Sequence, residues 1–248
     1  MAYPHSLVED GVVLGSELNL MPGAILRRGV EVGDRVTIHS YAVIGGEPQD
    51  LRFGTSTVSG VRIGSGTTIR EFVTINRATQ PQGYTVVGES CFIMAAAHLA
   101  HDVQLGNHVI LANNVLLAGH VKVADHVFFG GGAAVHQFCR IGESAMVAGL
   151  ARITVDVAPY TMVAERDELI GLNVVGLKRR GLPRETIREL KDVYRRVFFT
   201  AGNIRNVAAE ALAGAQAPET RRFLEFFGQG KRGFARPRRG ASEIGETE

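Results

Sequence analysis

Between Val87 and Ile153 every sixth residue is apolar: Val87, Ile93, Leu99, Leu105, Leu111, Leu117, Val123, Phe129, Val135, Ile141, Val147, Ile153. Two residues before most of these stands another small or β-branched side chain, from Cys91 and Ala97 to Ala145 and Ala151. Amphipathic helices repeat every 3.6 residues and half-buried strands every two. A period of six fits neither and is the mark of hexapeptide repeats wound into a parallel β-helix. Each hexad supplies a short strand and a turn, and three hexads close one eighteen-residue coil, so inward residues stack coil upon coil. The phase extends backwards through Leu14, Leu20, Leu26, Val32, Ile38 and Ile44, then Ile63, Ile69 and Ile75. It slips once, with nineteen residues between Ile44 and Ile63, and Pro81 must take one slot. Polar loops are therefore expected near residues 46–61 and 76–85. Met1 to Val8 form an imperfect first strand, and about eight coils at ~4.8 Å each make a prism roughly 40 Å long.

After Asp156 the period stops. Residues 161–177 read as a poorly patterned connector, followed by three helices: Glu185 to Phe199 after Pro183, Ile204 to Leu212, and Pro218 to Phe227. Residues 231–248 are charged, contain Gly and Pro and show no period, which predicts disorder. The fold class is thus mainly β: a parallel β-helix of hexapeptide repeats over residues 1–158, a connector and small C-terminal α-helical domain over 159–230, and a disordered tail over 231–248.

Overall charge names no partner, because 27 basic residues face 25 acidic ones. The charge is unevenly shared, however. Through Pro159 there are 10 basic and 13 acidic residues, and beyond it 17 and 12, so the helical end is basic and suits an acidic protein or a phosphate. Glycines such as Gly88 and Gly106 follow an inward residue, where a tight corner favours unusual φ/ψ. Cys91 and Cys139 both sit at inward small positions, 48 residues apart, and so on different faces; buried free thiols in a reducing compartment are expected. No signal-peptide pattern and no long apolar run occurs, which predicts a cytoplasmic protein without stable membrane insertion.

The coil sorts the histidines. Relative to the stacked Leu99, Leu117 and Val135, His98 lies at −1, His101 at +2, His120 at +3 and His136 at +1. These four therefore share one strip over three coils, whereas His108 and His126, one coil apart, belong to another face. The strip admits two chemistries: three imidazoles holding a zinc-like metal, or one imidazole as general base with the others binding substrate. Asp102 follows His101 and could fix its tautomer, provided a turn brings the two side chains to one side. Gly119, one coil above His101, leaves a backbone N–H open to a reacting carbonyl.

AHLAHD (97–102), GNHVILANN (106–114), LAGHV (117–121), GGGAAVHQF (130–138) and GLKRRG (176–181) together resemble the UDP-N-acetylglucosamine acyltransferase family, over nearly the whole chain. IREFVTINRAT (69–79) and GGEPQDL (45–51) match more loosely. The resemblance implies a homotrimer of left-handed β-helices, against the usual right-handed crossover, with active sites in clefts between subunits. It implies transfer of a 3-hydroxyacyl chain from acyl carrier protein to the 3-hydroxyl of UDP-N-acetylglucosamine, opening lipid A synthesis, with no metal, cofactor or nucleic acid. His101 would be the general base, Asp102 its partner and Gly119 the oxyanion donor. Gln49, Asp50 and Arg52, on the first loop, would reach the sugar, and His98, His120, His136 and Gln137 would line the cleft. Asn173, Arg179 and Arg180 would hold the nucleotide, and Gly149, lacking a side chain, would leave a long acyl slot. The chain departs from the family pattern around the acceptor: Arg52 for a common Lys, Val175 for a frequent acid, Asn76 for a common His, and a connector over 163–172 one residue short. A 3-amino sugar acceptor is therefore the alternative, ahead of a metal-bound hexapeptide enzyme or a non-catalytic nucleotide-sugar binder.

Overall fold

The computed structural model describes residues 5–237. From Leu7 to Ile153 the chain winds through strands mostly two residues long. Each pairs in parallel with the strand one coil below and one coil above, as His98–Leu99 does with Thr74–Ile75 and Leu116–Leu117. Three sheets of eight, seven and nine strands enclose the prism. The period-six residues point inward, and Ile93, Leu99, Leu111 and Leu117 are wholly buried. Each such side chain contributes about 1.5–3 kcal/mol of burial. Two excursions interrupt the winding, between the strands Val43–Gly46 and Gly60–Ile63 and between Thr74–Asn76 and Tyr84–Val87.

The corners differ from expectation in which residue takes the unusual backbone. Gly88 and Gly106 keep φ outside the left-handed region. They are glycines because coils stack closely there: a Cβ on Gly88 would overlap the Gly106 carbonyl, and one on Gly106 the Asp125 carboxylate. Positive φ falls instead on side-chain-bearing residues, including Asp102 (61°), His108 (55°), His120 (62°) and His126 (61°). Asp and His tolerate this conformation better than most. Their N–H groups offset part of the cost by bonding the coil below, His120 N–H to His101 O at 3.1 Å and His126 N–H to Asn107 O at 2.9 Å. Cys91 and Cys139 are buried and free, and burial pushes the Cys139 thiol up to about 12.

Past Ile153 two expectations need correction. Residues 161–177 are not an unpatterned connector: Thr161–Ala164 and Glu168–Leu172 form an antiparallel hairpin that extends the nine-stranded sheet beyond residue 158. Val163 pairs with Val147, sixteen residues back, so this coil is two residues short and falls out of the six-residue phase. A short helix α1 (Val174–Arg179) follows, then α2 (Arg184–Phe199), α3 (Ile204–Leu212) and α4 (Pro218–Glu225). These pack around a second core containing Leu190, Ile204, Phe223 and Phe227. The predicted disorder over 231–248 fails for 231–237. Asp156 N–H bonds Gly233 O, Ala235 N–H bonds Asp156 O, and Leu169 N–H bonds Arg236 O. Ala235 is buried, and the Phe234 and Phe227 rings lie 4.9 Å apart. The segment supplies backbone pairing and one aromatic anchor, which a search for periodicity does not register. Residues 238–248 lie outside the described residues.

Candidate active site

The turn His101–Asp102 joins strand His98–Leu99 of the eight-stranded sheet to Gln104–Leu105 of the seven-stranded one. The left-handed backbone at Asp102 swings its carboxylate beside the preceding ring, and His101 Nδ1–H donates to Asp102 Oδ2 at 2.8 Å. Asp102 Oδ2 also accepts from Thr79 Oγ1 at 2.6 Å and from the Thr79 N–H at 3.1 Å. Thr85 Oγ1 accepts the Asp102 N–H at 2.9 Å. Burial raises the Asp102 carboxyl, but the Thr79 hydroxyl, the His101 imidazole and the Thr79 N–H outweigh it and hold the group below its ordinary value. The carboxylate is thus ionised and immobile, and with Nδ1 carrying the proton, His101 Nε2 presents its lone pair.

That nitrogen faces Gly119. A Cβ on Gly119 would stand 2.5 Å from His101 Cε1 and 2.7 Å from Nε2. Among the described residues the Gly119 N–H donates to no carbonyl, while its own carbonyl accepts from Phe138 N–H at 3.1 Å. An imidazole nitrogen and an unengaged donor therefore border one small space. His120 sits over the pair, its ring 5.1 Å from His101 and edge-on, with Nε2 3.7 Å from Asp102 Oδ2. Burial lowers the His120 imidazole, Asp102 pulls against this, and His101 adds to the lowering. His98 Nδ1 lies 2.7 Å from Thr74 Oγ1, and burial lowers its imidazole too. His136 and Gln137 are exposed one coil above, His136 Nδ1 being 3.3 Å from Gln137 O.

His101, Asp102 and His120 offer donor atoms within 4.8 Å of one another. Asp102 Oδ2, however, is committed to His101 and twice to Thr79, and the His101 nitrogen nearest it carries the proton. This donor set makes a hydrogen-bonded relay, not a ligand cage.

The first loop brings Asp50 towards this edge. The Arg52 guanidinium, the Arg52 N–H and, more weakly, the His101 ring hold its carboxyl low against desolvation. Arg52 Nη2 lies 3.2 Å from Asp50 Oδ2, and Gln49 is exposed beside them. Other candidates stand elsewhere on the prism. Asn173 caps α1 through its bond to Gly176 N–H and donates to Ser144 O at 3.0 Å. Arg180 pairs with Glu143 at 3.1 Å and reaches Ser144 Oγ, while Arg179 is exposed. Those residues occupy the edge between the seven- and nine-stranded sheets. Gly149 lies exposed on the third edge, between the nine- and eight-stranded sheets. Within one chain, then, His101 meets neither the Arg180 edge nor Gly149. Two neighbours escaped sequence reasoning. Phe138, one coil above His120, stacks on it at 4.6 Å, and the eighteen-residue repeat could have found it. Thr79 lies in the second loop, outside any period, and left no signal.

Comparison with known proteins defines the class first. Residues 84–119 match the bacterial transferase hexapeptide model, and residues 156–235 match domain 2 of the UDP N-acetylglucosamine O-acyltransferase model. The molecule is an acyltransferase built on a left-handed β-helix of hexapeptide repeats with C-terminal helices. It is 40% identical to the acyl-[acyl-carrier-protein]–UDP-N-acetylglucosamine O-acyltransferase of Sinorhizobium medicae, covering 96% of each chain. It is 38% identical to the enzyme of that name from Campylobacter lari, covering 93% of this chain and 95% of the relative. The solved UDP-N-acetylglucosamine acyltransferase of Campylobacter jejuni superposes with a TM-score of 0.86 at 32% identity, covering 96% of this chain and all of that one. The chain belongs to the UDP-N-acetylglucosamine O-acyltransferase family.

Proposed function

We propose that this protein transfers a 3-hydroxyacyl group from acyl carrier protein to the 3-hydroxyl of UDP-N-acetylglucosamine, the opening step of lipid A synthesis. The observation that carries the mechanism is the approach of His101 Nε2 to Gly119, with Asp102 fixing the opposite nitrogen. A sugar hydroxyl is a weak nucleophile near neutrality and needs a base, whereas a thioester is already activated. His101 Nε2 takes the hydroxyl proton as the oxygen attacks the thioester carbonyl. The Gly119 N–H supports the oxyanion. Collapse breaks the C–S bond, and the departing sulfur of the carrier takes the proton back from His101. Asp102 stabilises the intervening imidazolium without being protonated itself.

Gln49, Asp50 and Arg52 hold the sugar in this reading, with His98, His120, His136 and Gln137 lining the cleft. Asn173, Arg179 and Arg180 hold the nucleotide, as guanidinium suits phosphate. Because these groups stand on different edges of one prism, the reading requires a neighbouring copy, and a homotrimer supplies it. The upper part of the outward row of the nine-stranded sheet supports this: above Asn19, Thr37 and Thr68 it continues with Phe92, Ile110, Phe128, Met146 and Met162, all apolar. The outward row of the seven-stranded sheet is mostly polar instead, with Glu31, Arg62, Gln104, Lys122 and Arg140 beside Val13 and Val86. A flat apolar face of this kind is buried against another surface. Gly149, on the edge beside the apolar row, leaves the acyl slot long. The basic α2 face, with Arg184, Arg188 and Lys191, suits an acidic carrier protein. The protein acts in the cytoplasm, where both substrates are made; among the described residues no helix is long and apolar enough to cross a membrane.

The test is transfer from a ladder of 3-hydroxyacyl carrier proteins to UDP-N-acetylglucosamine and, in parallel, to its 3-amino analogue. Ester product is expected, falling by about 10²–10⁴ in His101→Ala. Product with the amino analogue alone would move the acceptor to the amino sugar, and full activity of the variant would remove His101 as the base.

A further inference from the structure

The edge that carries Arg180 also carries two histidines that the reaction above does not use. His108 and His126 occupy successive corners one coil apart, and their rings are stacked, with centroids 4.7 Å apart and planes 7° from parallel. Their backbone N–H groups bond Glu89 O and Asn107 O. Among the described residues neither imidazole makes a side-chain hydrogen bond, so each ring's only partner is the other. Stacking face to face leaves all four ring nitrogens directed edgewise. His108 is exposed and His126 half-buried.

The charged groups around the pair do not neutralise it. Asp125 Oδ1 accepts the Asn107 N–H at 2.8 Å. Glu143, one coil above, is held by Arg180 at 3.1 Å, Arg222 at 2.9 Å and Tyr160 Oη at 3.0 Å. Burial lowers the His126 imidazole, Arg180 and His108 add to this, and Asp125 and Glu143 oppose it. Burial, a positive group above and a second imidazole below thus disfavour the protonated form of His126 until an anion arrives. Two neighbouring imidazolium rings beside a guanidinium make a strip of donors matched to a diphosphate.

We propose that His108 and His126 form the lower half of the diphosphate subsite, binding the nucleotide sugar together with Arg180. This rests on the reading that Arg180 faces the nucleotide. The consequence is proton uptake. The diphosphate raises the proton affinity of the imidazoles, so binding draws protons from solution and affinity falls as pH rises. Linkage limits the change to about tenfold per pH unit for each proton taken up. The diphosphate of UDP-N-acetylglucosamine is esterified at both ends and does not itself titrate near neutrality, so the slope reports the protein.

The experiment measures the Kd of UDP-N-acetylglucosamine by calorimetry from about pH 6 to 8.5, the range in which imidazoles titrate. Wild type is compared with His126→Phe, which keeps a flat ring in the stack, and with His108→Gln/His126→Phe, and acyl transfer is assayed alongside. The expected result is a pH slope steeper in wild type than in the double variant by up to about two log units per pH unit, one for each ring, with the two curves converging at the alkaline end. His126→Phe is intermediate, and the kinetic loss falls on KM rather than kcat. A purely structural stack would leave the slope unchanged in the variants, and that result overturns the proposal. Equal slopes with intact transfer would remove the histidine strip and keep the acyltransferase reading. Flattened slopes without transfer would keep the strip and remove that reading. No binding by wild type would remove both.

Discussion

A methyl group on Gly119 would occupy the space that His101 Nε2 faces, 2.7 Å from that nitrogen. The backbone there is outside the left-handed region, so alanine is tolerated conformationally and the clash is with the imidazole alone. Gly119→Ala is therefore expected to lower kcat by about a hundredfold, the cost of displacing a catalytic group by roughly 1 Å. Steady-state kinetics with a parallel melting curve checks this: kcat falls while Tm moves little. An unchanged kcat would place the reacting carbonyl elsewhere. At this scale the sequence was legible where function rides on the repeat. His98, His101, His120 and His136 stand at fixed offsets from stacked inward residues, with Gly119 one coil above His101, so spacing alone assigned them to one strip, whereas Gln137 came only from the family resemblance. The turn that makes His101 and Asp102 a pair was only a condition in the sequence. The structure meets it with a positive φ at Asp102, which no spacing reveals. Thr79, which anchors the carboxylate, arrives from a loop of a different coil and left no trace.

At the scale of elements, periodicity succeeded in the prism and in the helices, and failed between them. Ile204–Leu212 forms a helix with the bounds read from its pattern, because its apolar residues face the second core. The hairpin Thr161–Leu172 was missed because its coil is two residues short. Segment 231–237 was missed because it is held by a few specific bonds, chief among them those of Asp156. That carboxylate is 1% exposed and accepts from Arg140 Nε at 2.8 Å, while Arg140 also lies over the Phe226 ring and donates to Gln229 O at 2.8 Å. The pair ties the last complete coil, α4 and the returning segment into one contact. Asp156→Ala would strand a largely buried guanidinium, and a loss of about 3–5 kcal/mol is expected. Denaturant unfolding measures it, and limited proteolysis should then cut first near Gly230. A variant as stable as wild type would mean that Phe234 packing alone secures the segment.

For the whole molecule, the decisive fact is that the prism has three edges and the candidate groups are shared among them. His101 and Gly119 lie on one, Arg180 with His126 on the next, Gly149 on the third. No rearrangement of a rigid β-helix brings these edges together, since each is a column of coil-to-coil hydrogen bonds. Spacing placed residues on faces but could not show that the faces of one chain are insufficient, because that is a property of the assembled prism. If a cleft joins the His101 edge of one chain to the Arg180 edge of its neighbour, two inactive variants should complement. His101→Ala and Arg180→Ala, each weak alone, are co-expressed, and mixed trimers are isolated with two affinity tags. Each mixed trimer, whether two to one or one to two, has one of its three clefts with both wild-type edges, so roughly a third of the wild-type rate is expected. Activity no higher than the sum of the separate variants would mean that each site is built within one chain. The acceptor would then have to be held without Arg180, and both the trimeric cleft and the histidine strip below Arg180 would lose their place in the reaction.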